Sequence, residues 1–206
     1  MKTRPYHHGD LRTALLALAE QTLRERGPGA LSLRELAREA GVSPAAPSRH
    51  FKSKQALLDA LGLEGFDRLT AELAAALERS GDTFADRLAA LARVYLEFAV
   101  ANAALHDLMY AYKYDPDASD ELIAARRRLG AMTAELIEAG QGRGEVCEGP
   151  VDRVALPLTA ALQGLAALAV TGAIPSGRIE RAADDTVAFV LRGCAPTGGT
   201  TAASLP

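Results

Sequence analysis

The chain has 206 residues, of which 49% are hydrophobic and 24% charged, a composition that excludes extended disorder and suits one large domain or two small ones. Its two cysteines, Cys147 and Cys194, lie far apart without CxxC spacing; they exclude a disulfide scaffold and a cysteine-based zinc site and fit a reducing cytosol. The formal net charge of −3 hides an asymmetry, because residues 1–55 hold ten Lys or Arg against five Asp or Glu, leaving −8 on the other 151.

The first ten residues, MKTRPYHHGD, contain no apolar stretch of the kind that opens a secretory leader, so none is expected. Asp10 is expected to cap a first helix that carries Leu11, Leu15, Leu18 and Thr22 on one face and stops at Gly27-Pro28-Gly29. Ser32 and Glu35 have the spacing of a capping box and open a short second helix ending near Gly41. Ser43-Pro44 predicts a third short helix to about His50, with proline where a missing N–H is harmless. Ser53 then caps a long helix with Leu58, Leu61, Gly65, Leu69, Leu73 and Leu77 at steps of three or four.

Beyond Gly81, the stripe Phe84, Leu88, Leu91, Tyr95 and Phe98 predicts another helix, followed by an aromatic-rich segment from Leu105 to Tyr112. Asp115-Pro116-Asp117 reads as a turn, and Leu122, Leu129, Met132 and Leu136 as the face of a further helix. The glycines at 140, 142 and 144 make a loop, since no strand precedes them and GxGxxG is not completed. Two more helices follow, from Val151 to about Ala173 and along Ile179, Ala183, Val187 and Val190, and the tail from Cys194 is expected to be disordered. Caps and breakers therefore predict an all-α chain of about nine helices. Its divisions are a head at 1–55, a body at 56–193 and a tail at 194–206.

The function-bearing stretch lies in the basic head. Ser32 to Ser43 has the build of a helix-turn-helix: Ala37 is small where a second helix approaches, Gly41 suits a left-handed turn, and Val42 plugs it. In such a unit the next helix enters the major groove with its N-terminal residues at the base edges. The wider run is Tyr6-His-His-Gly-Asp-Leu-Arg12, then Leu31 through Pro47, then Arg49-His-Phe-Lys-Ser-Lys-Gln-Ala-Leu-Leu58, and it resembles the TetR family of bacterial transcriptional regulators. The resemblance implies a three-helix DNA-binding head, a long connecting helix, and a helical body that dimerises and binds a small effector. The body resembles the branch with a Trp-His-Gly signature, of which Leu162-Gln163-Gly164 keeps only the glycine.

On this reading Ser32, Ser43 and Lys54 are phosphate contacts, Lys2 and Arg4 form a basic arm for the minor groove, and Arg34 and Arg49 read bases. Pro44, Ala45 and Ala46 face the groove and offer only apolar contact to thymine methyls. The family has Tyr where this chain has Ser48, two residues before His50, and Pro47 deletes an early hydrogen bond of the expected recognition helix. These two departures motivate an alternative, a helical small-molecule binding protein with impaired DNA binding.

In the body, no charge occurs from Val154 to Gly177. That length spans a bilayer, yet Pro157, Gln163, Gly164, Gly172 and Pro175 interrupt it, which favours a subunit interface. Tyr95, Phe98, Met109, Tyr110, Met132, Leu136 and Gln163 are expected to line an effector pocket, since the resemblance implies one. His7, His8, His50 and His106 show no metal spacing, and no nucleophile–base pair is visible, so no metal, cofactor or catalytic residue is expected. The reading is a cytoplasmic homodimeric regulator, most simply a repressor, that binds a palindromic double-stranded operator and is released by a small molecule.

Overall fold

The structure, a computed structural model, describes residues 8–111 and 118–196; the expected arm residues Lys2 and Arg4, the 115–117 turn and the end of the tail lie outside them. Among the described residues are eight α-helices and no strand: α1 (His8–Arg26), α2 (Leu33–Glu39), α3 (Lys54–Arg79), α4 (Phe84–Ala101), α5 (Ala103–Ala111), α6 (Asp120–Gly142), α7 (Asp152–Val170) and α8 (Ile179–Gly193). The ninth expected helix is replaced by a 3-10 turn at Pro47–Arg49. Two compact units divide the chain, one ending at Arg68 and resuming over Asn102–Arg126, the other comprising Leu69–Ala101 and resuming at Arg127. These units describe packing; the sequence division into a head at 1–55 and a body is a functional one.

The first unit is built on α1, whose Leu11, Leu15, Leu16, Ala19 and Leu23 are buried together with Leu36, Phe51, Leu57 and Leu61. Gly65 explains how α5 reaches α3: a Cβ there would lie 2.6 Å from Met109 Sδ, so only glycine leaves room. Polar links reinforce the packing. Arg68 forks onto both oxygens of Glu20 at 3.1 and 3.2 Å and reaches Asn102 Oδ1 at 3.3 Å. The buried Asp59 accepts from Gln55 at 2.8 Å and from the Ser119 N–H at 2.9 Å, while Ser119 Oγ caps α6 at Leu122.

His106 is buried on α5 beside Tyr110, ring centroids 4.8 Å apart. Burial pushes its pKa below the usual His value, with Asp107 opposing. The unfolded chain therefore takes up this proton first, and stability present above about pH 6.5 is lost as pH falls through the folded pKa. His106→Gln should flatten the profile of Tm against pH between about 7 and 5, read by scanning calorimetry. An unchanged slope would assign that sensitivity elsewhere.

In the second unit α4 packs against α7 and α8. Phe84, Leu88, Leu91, Tyr95 and Phe98 of α4, Val154, Leu158, Leu162, Leu165 and Ala169 of α7 and Val187 of α8 are buried. The Phe84 ring lies against Gly140, where a Cβ would come within 3.0 Å of it. The α4 N-terminus is fixed by Glu145, which accepts the Phe84 N–H at 2.6 Å and is held by Arg143 at 3.1 Å. Arg143 first, then the Phe84 amide, holds this carboxyl below the usual Glu range. The outer side of α7 is different. Leu156, Pro157, Ala160, Gly164, Ala167 and Leu168 are exposed, Leu156 at 73% and Leu168 at 50%, and Phe189 of α8 is exposed at 69%. α7 is long and apolar enough to cross a membrane, a property that helices of subunit interfaces share, and 28% of its apolar window is buried within the chain.

Candidate nucleic-acid interface

The head is assembled by local bonds that the sequence encodes. Gly41 adopts φ +69°, and the Val42 N–H reaches Ala37 O at 3.0 Å while Gly41 N–H reaches Arg38 O at 3.2 Å. This is a Schellman end, which needs a residue free of a Cβ at its left-handed position, and the small Ala37 beneath it is fully buried. Ser32 is the N-cap of α2, its carbonyl accepting the Leu36 N–H at 3.0 Å, but its hydroxyl makes no capping bond. The expected capping box is therefore not formed, and the first N–H groups of α2 are without that side-chain partner. Asp10 lies inside the first turn of α1 instead of capping it, because the helix starts at His8. Ser53 does cap α3, accepting the Ala56 N–H at 3.1 Å.

The segment expected as the recognition helix is the main departure. Pro47 has no N–H to give the Ser43 carbonyl, so the Ala46 N–H takes it at 2.9 Å. Arg49 then bonds to Ala46 at 3.2 Å and His50 to Pro47 at 2.9 Å, each one residue short of α-helical spacing. Ser48 Oγ donates to the Ala45 carbonyl at 2.7 Å, occupying the acceptor that an α-helix would offer to the Arg49 N–H. Residues 43–50 are thus a turn followed by a 3-10 turn. The Ser48 hydroxyl proton is already engaged, so a phosphate would have to compete with Ala45 for it.

Around this segment the expected contact residues are largely at the surface. Arg34, Ser43, Pro44, Ala45, Ser48, Arg49 and Lys54 are exposed, and Ser32, Ala46 and His50 are half-buried. Lys54 Nζ donates to the Gly29 carbonyl at 3.1 Å, tying the start of α3 to the turn after α1. The Arg12 guanidinium carbon lies 5.6 Å from the centre of the buried Phe51 ring, a cation–π contact that sequence reasoning did not anticipate. Exposed Lys52 was also missed, although its place between Phe51 and Lys54 was a visible signal. Arg12, Arg34, Arg49, Lys52 and Lys54 give this end several solvated cations suited to a polyanion.

The expected effector residues fall in both compact units. Tyr95, Phe98 and Leu136 are buried and Met132 and Gln163 half-buried in the second; Met109 is buried and Tyr110 half-buried in the first. A separate groove of about 510 Å³ lies between α4 and α8 in the second unit, with Leu96, Val100 and Ile179 beside Arg93, Glu97 and Asp184. None of the expected pocket residues lines it. Among the described residues no group of three His, Cys, Asp or Glu is placed to hold a metal.

Comparison with known families agrees with the head. The model of bacterial regulatory proteins of the tetR family matches residues 15–61, and that of the tetracyclin repressor-like C-terminal domain matches residues 88–193. The chain belongs to the TetR family. It is a DNA-binding regulator with a TetR-type helix-turn-helix. Its fold is similar to that of a Rhodococcus sp. RHA1 protein of unknown function, with TM-score 0.87 and 42% identity over 94% of this chain and 100% of that one. It is also similar to a tetR-family regulatory protein from Rhodococcus RHA1 (TM-score 0.71, 24% identity, 90% and 97% covered). PfmR, a TetR-family transcriptional regulator from Thermus thermophilus, gives TM-score 0.67 and 24% identity with 86% and 97% covered. The last two bear on the fold alone. No curated protein matches the sequence.

Proposed function

We propose that this TetR-family chain is a cytoplasmic, non-enzymatic repressor that binds a palindromic operator as a homodimer and releases it when a small molecule binds the body. The observation carrying this reading is the exposed, uncharged side of α7, together with the exposed Phe189 of α8. An apolar face of this kind is covered by a partner in a soluble chain, and a two-fold copy offers an isologous match. The small Ala160 and Gly164 on that side let a second helix come close, and among the described residues nothing beyond the neighbouring turns of α7 itself lies within 4 Å of a Cβ built at Gly164. Two heads related by a two-fold axis suit an inverted repeat of half-sites. The effector is proposed to bind among Tyr95, Phe98, Met132, Leu136 and Gln163 of the second unit. It releases DNA by preferring the conformer whose heads are wrongly spaced, so operator DNA weakens its binding by the same factor.

A second reading is favoured by one observation, the 3-10 geometry of residues 47–49 with Ser48 bonded to Ala45. It is a small-molecule binding protein of the same fold whose head holds DNA only weakly. The salt dependence of binding to a non-specific duplex separates the two. A head making about six phosphate contacts loses roughly a thousandfold in affinity between 50 and 200 mM salt. A flat, weak isotherm would favour the second reading.

A further inference from the structure

Cys147 and Cys194 are 47 positions apart in the chain, but the fold makes them neighbours. The Cys147 N–H donates to the Cys194 carbonyl at 2.8 Å. With standard bond lengths this contact holds the two Cα atoms within about 6.7 Å of each other. Disulfides span Cα separations of about 4.4–6.8 Å, so the backbone is already inside the range. The approach is held from both sides. Gln141 Nε2 donates to the Cys147 carbonyl at 2.9 Å and to the Gly149 carbonyl at 3.0 Å, and Cys194 closes α8 through its N–H to Val190 at 3.0 Å. Both sulfurs are free thiols, Cys147 half-buried and Cys194 buried.

We propose that Cys147 and Cys194 are a dithiol pair that closes reversibly to an intramolecular disulfide by exchange with a small-molecule disulfide. The more accessible Cys147 thiolate attacks one sulfur of the oxidant, breaking its S–S bond and expelling one small thiol. Cys194, deprotonated, attacks the Cys147 sulfur, forms the protein disulfide and expels the second thiol. The protein loses two electrons and two protons, and the small disulfide becomes two thiols. Burial pushes the Cys194 thiol up, with Cys147 adding to it, which suits Cys194 to the second, intramolecular attack rather than the first. The bridge would enclose the whole of α7 and α8 in one loop, tying the end of α8 to the segment that precedes α7.

The test uses the full chain and glutathione disulfide. Oxidation should remove both titratable thiols, lower the intact mass by two hydrogens, and leave a single-chain band on a non-reducing gel. Tm should rise by roughly 5–10 °C, because the bridge restrains the unfolded chain, and dithiothreitol should reverse every change. Cys194→Ser should stop at the mixed disulfide, keeping one glutathione on Cys147. Glutathione retained on Cys147 of the unsubstituted chain, a disulfide joining two chains, or two unreacted thiols would each overturn the proposal.

Discussion

Leu168→Glu is expected to give a folded, monomeric chain that has lost specific operator binding by at least about a hundredfold. Leu168 is half exposed on the outer side of α7, where Leu156, Gly164 and Ala167 are also uncovered, so the chain's own core does not depend on it. A carboxylate there would have to be desolvated against its two-fold copy, a cost of several kcal/mol without a cationic partner. Separated heads then bind half-sites independently and lose the effective concentration that joins them, worth roughly 10²–10⁴ in affinity. Leu165 is the control from the same helix: it is 6% exposed, buried in the second unit, and Leu165→Glu should unfold the body rather than dissociate it. Light scattering gives the mass and circular dichroism the fold. A Leu168→Glu chain that remains dimeric would remove α7 from the interface.

How far the sequence was legible follows the range of the interactions. Gly41, Ala37 and Ser53 were readable because a Schellman turn and an N-cap involve partners three to five residues away, and each residue type has one physical reason to stand there. Residues 43–50 were only half readable. Ser43-Pro44 signals a helix start, yet Pro47 withholds the N–H that would continue it, and Ser48 turns its hydroxyl onto Ala45. Two local rules disagreed there, and the missing donor decided the outcome. The Asp59–Ser119 and Glu20–Arg68 links join residues 60 and 48 positions apart and leave no local signature. The same holds for the two cysteines, far apart in sequence but adjacent in the fold. In the body, helical periodicity identified Tyr95 and Phe98 as inward-facing, which they are, but period alone does not distinguish a packed core from a pocket wall.

Arg34→Ala and Lys54→Ala are expected to separate base reading from phosphate holding. Arg34 is exposed in the first turn of α2 and carries a planar fork able to pair with one guanine edge. Its removal should cost about 1–3 kcal/mol on the operator, a factor of about 5–150, relax preference at one base step, and leave non-specific binding close to unchanged. Lys54 presents a point charge that, without DNA, rests on the Gly29 carbonyl at 3.1 Å. Exchanging that neutral acceptor for a phosphate strengthens the hydrogen bond and releases a counterion, but carries no sequence information. Lys54→Ala should therefore weaken operator and random duplex by the same factor and reduce the salt slope by about one. Both variants are measured on one operator, one single-base variant of it and one random duplex, each at two salt concentrations. If Arg34→Ala lowers all three affinities in parallel, Arg34 is a backbone contact, and sequence reading falls to Arg49 and to the shape of the duplex.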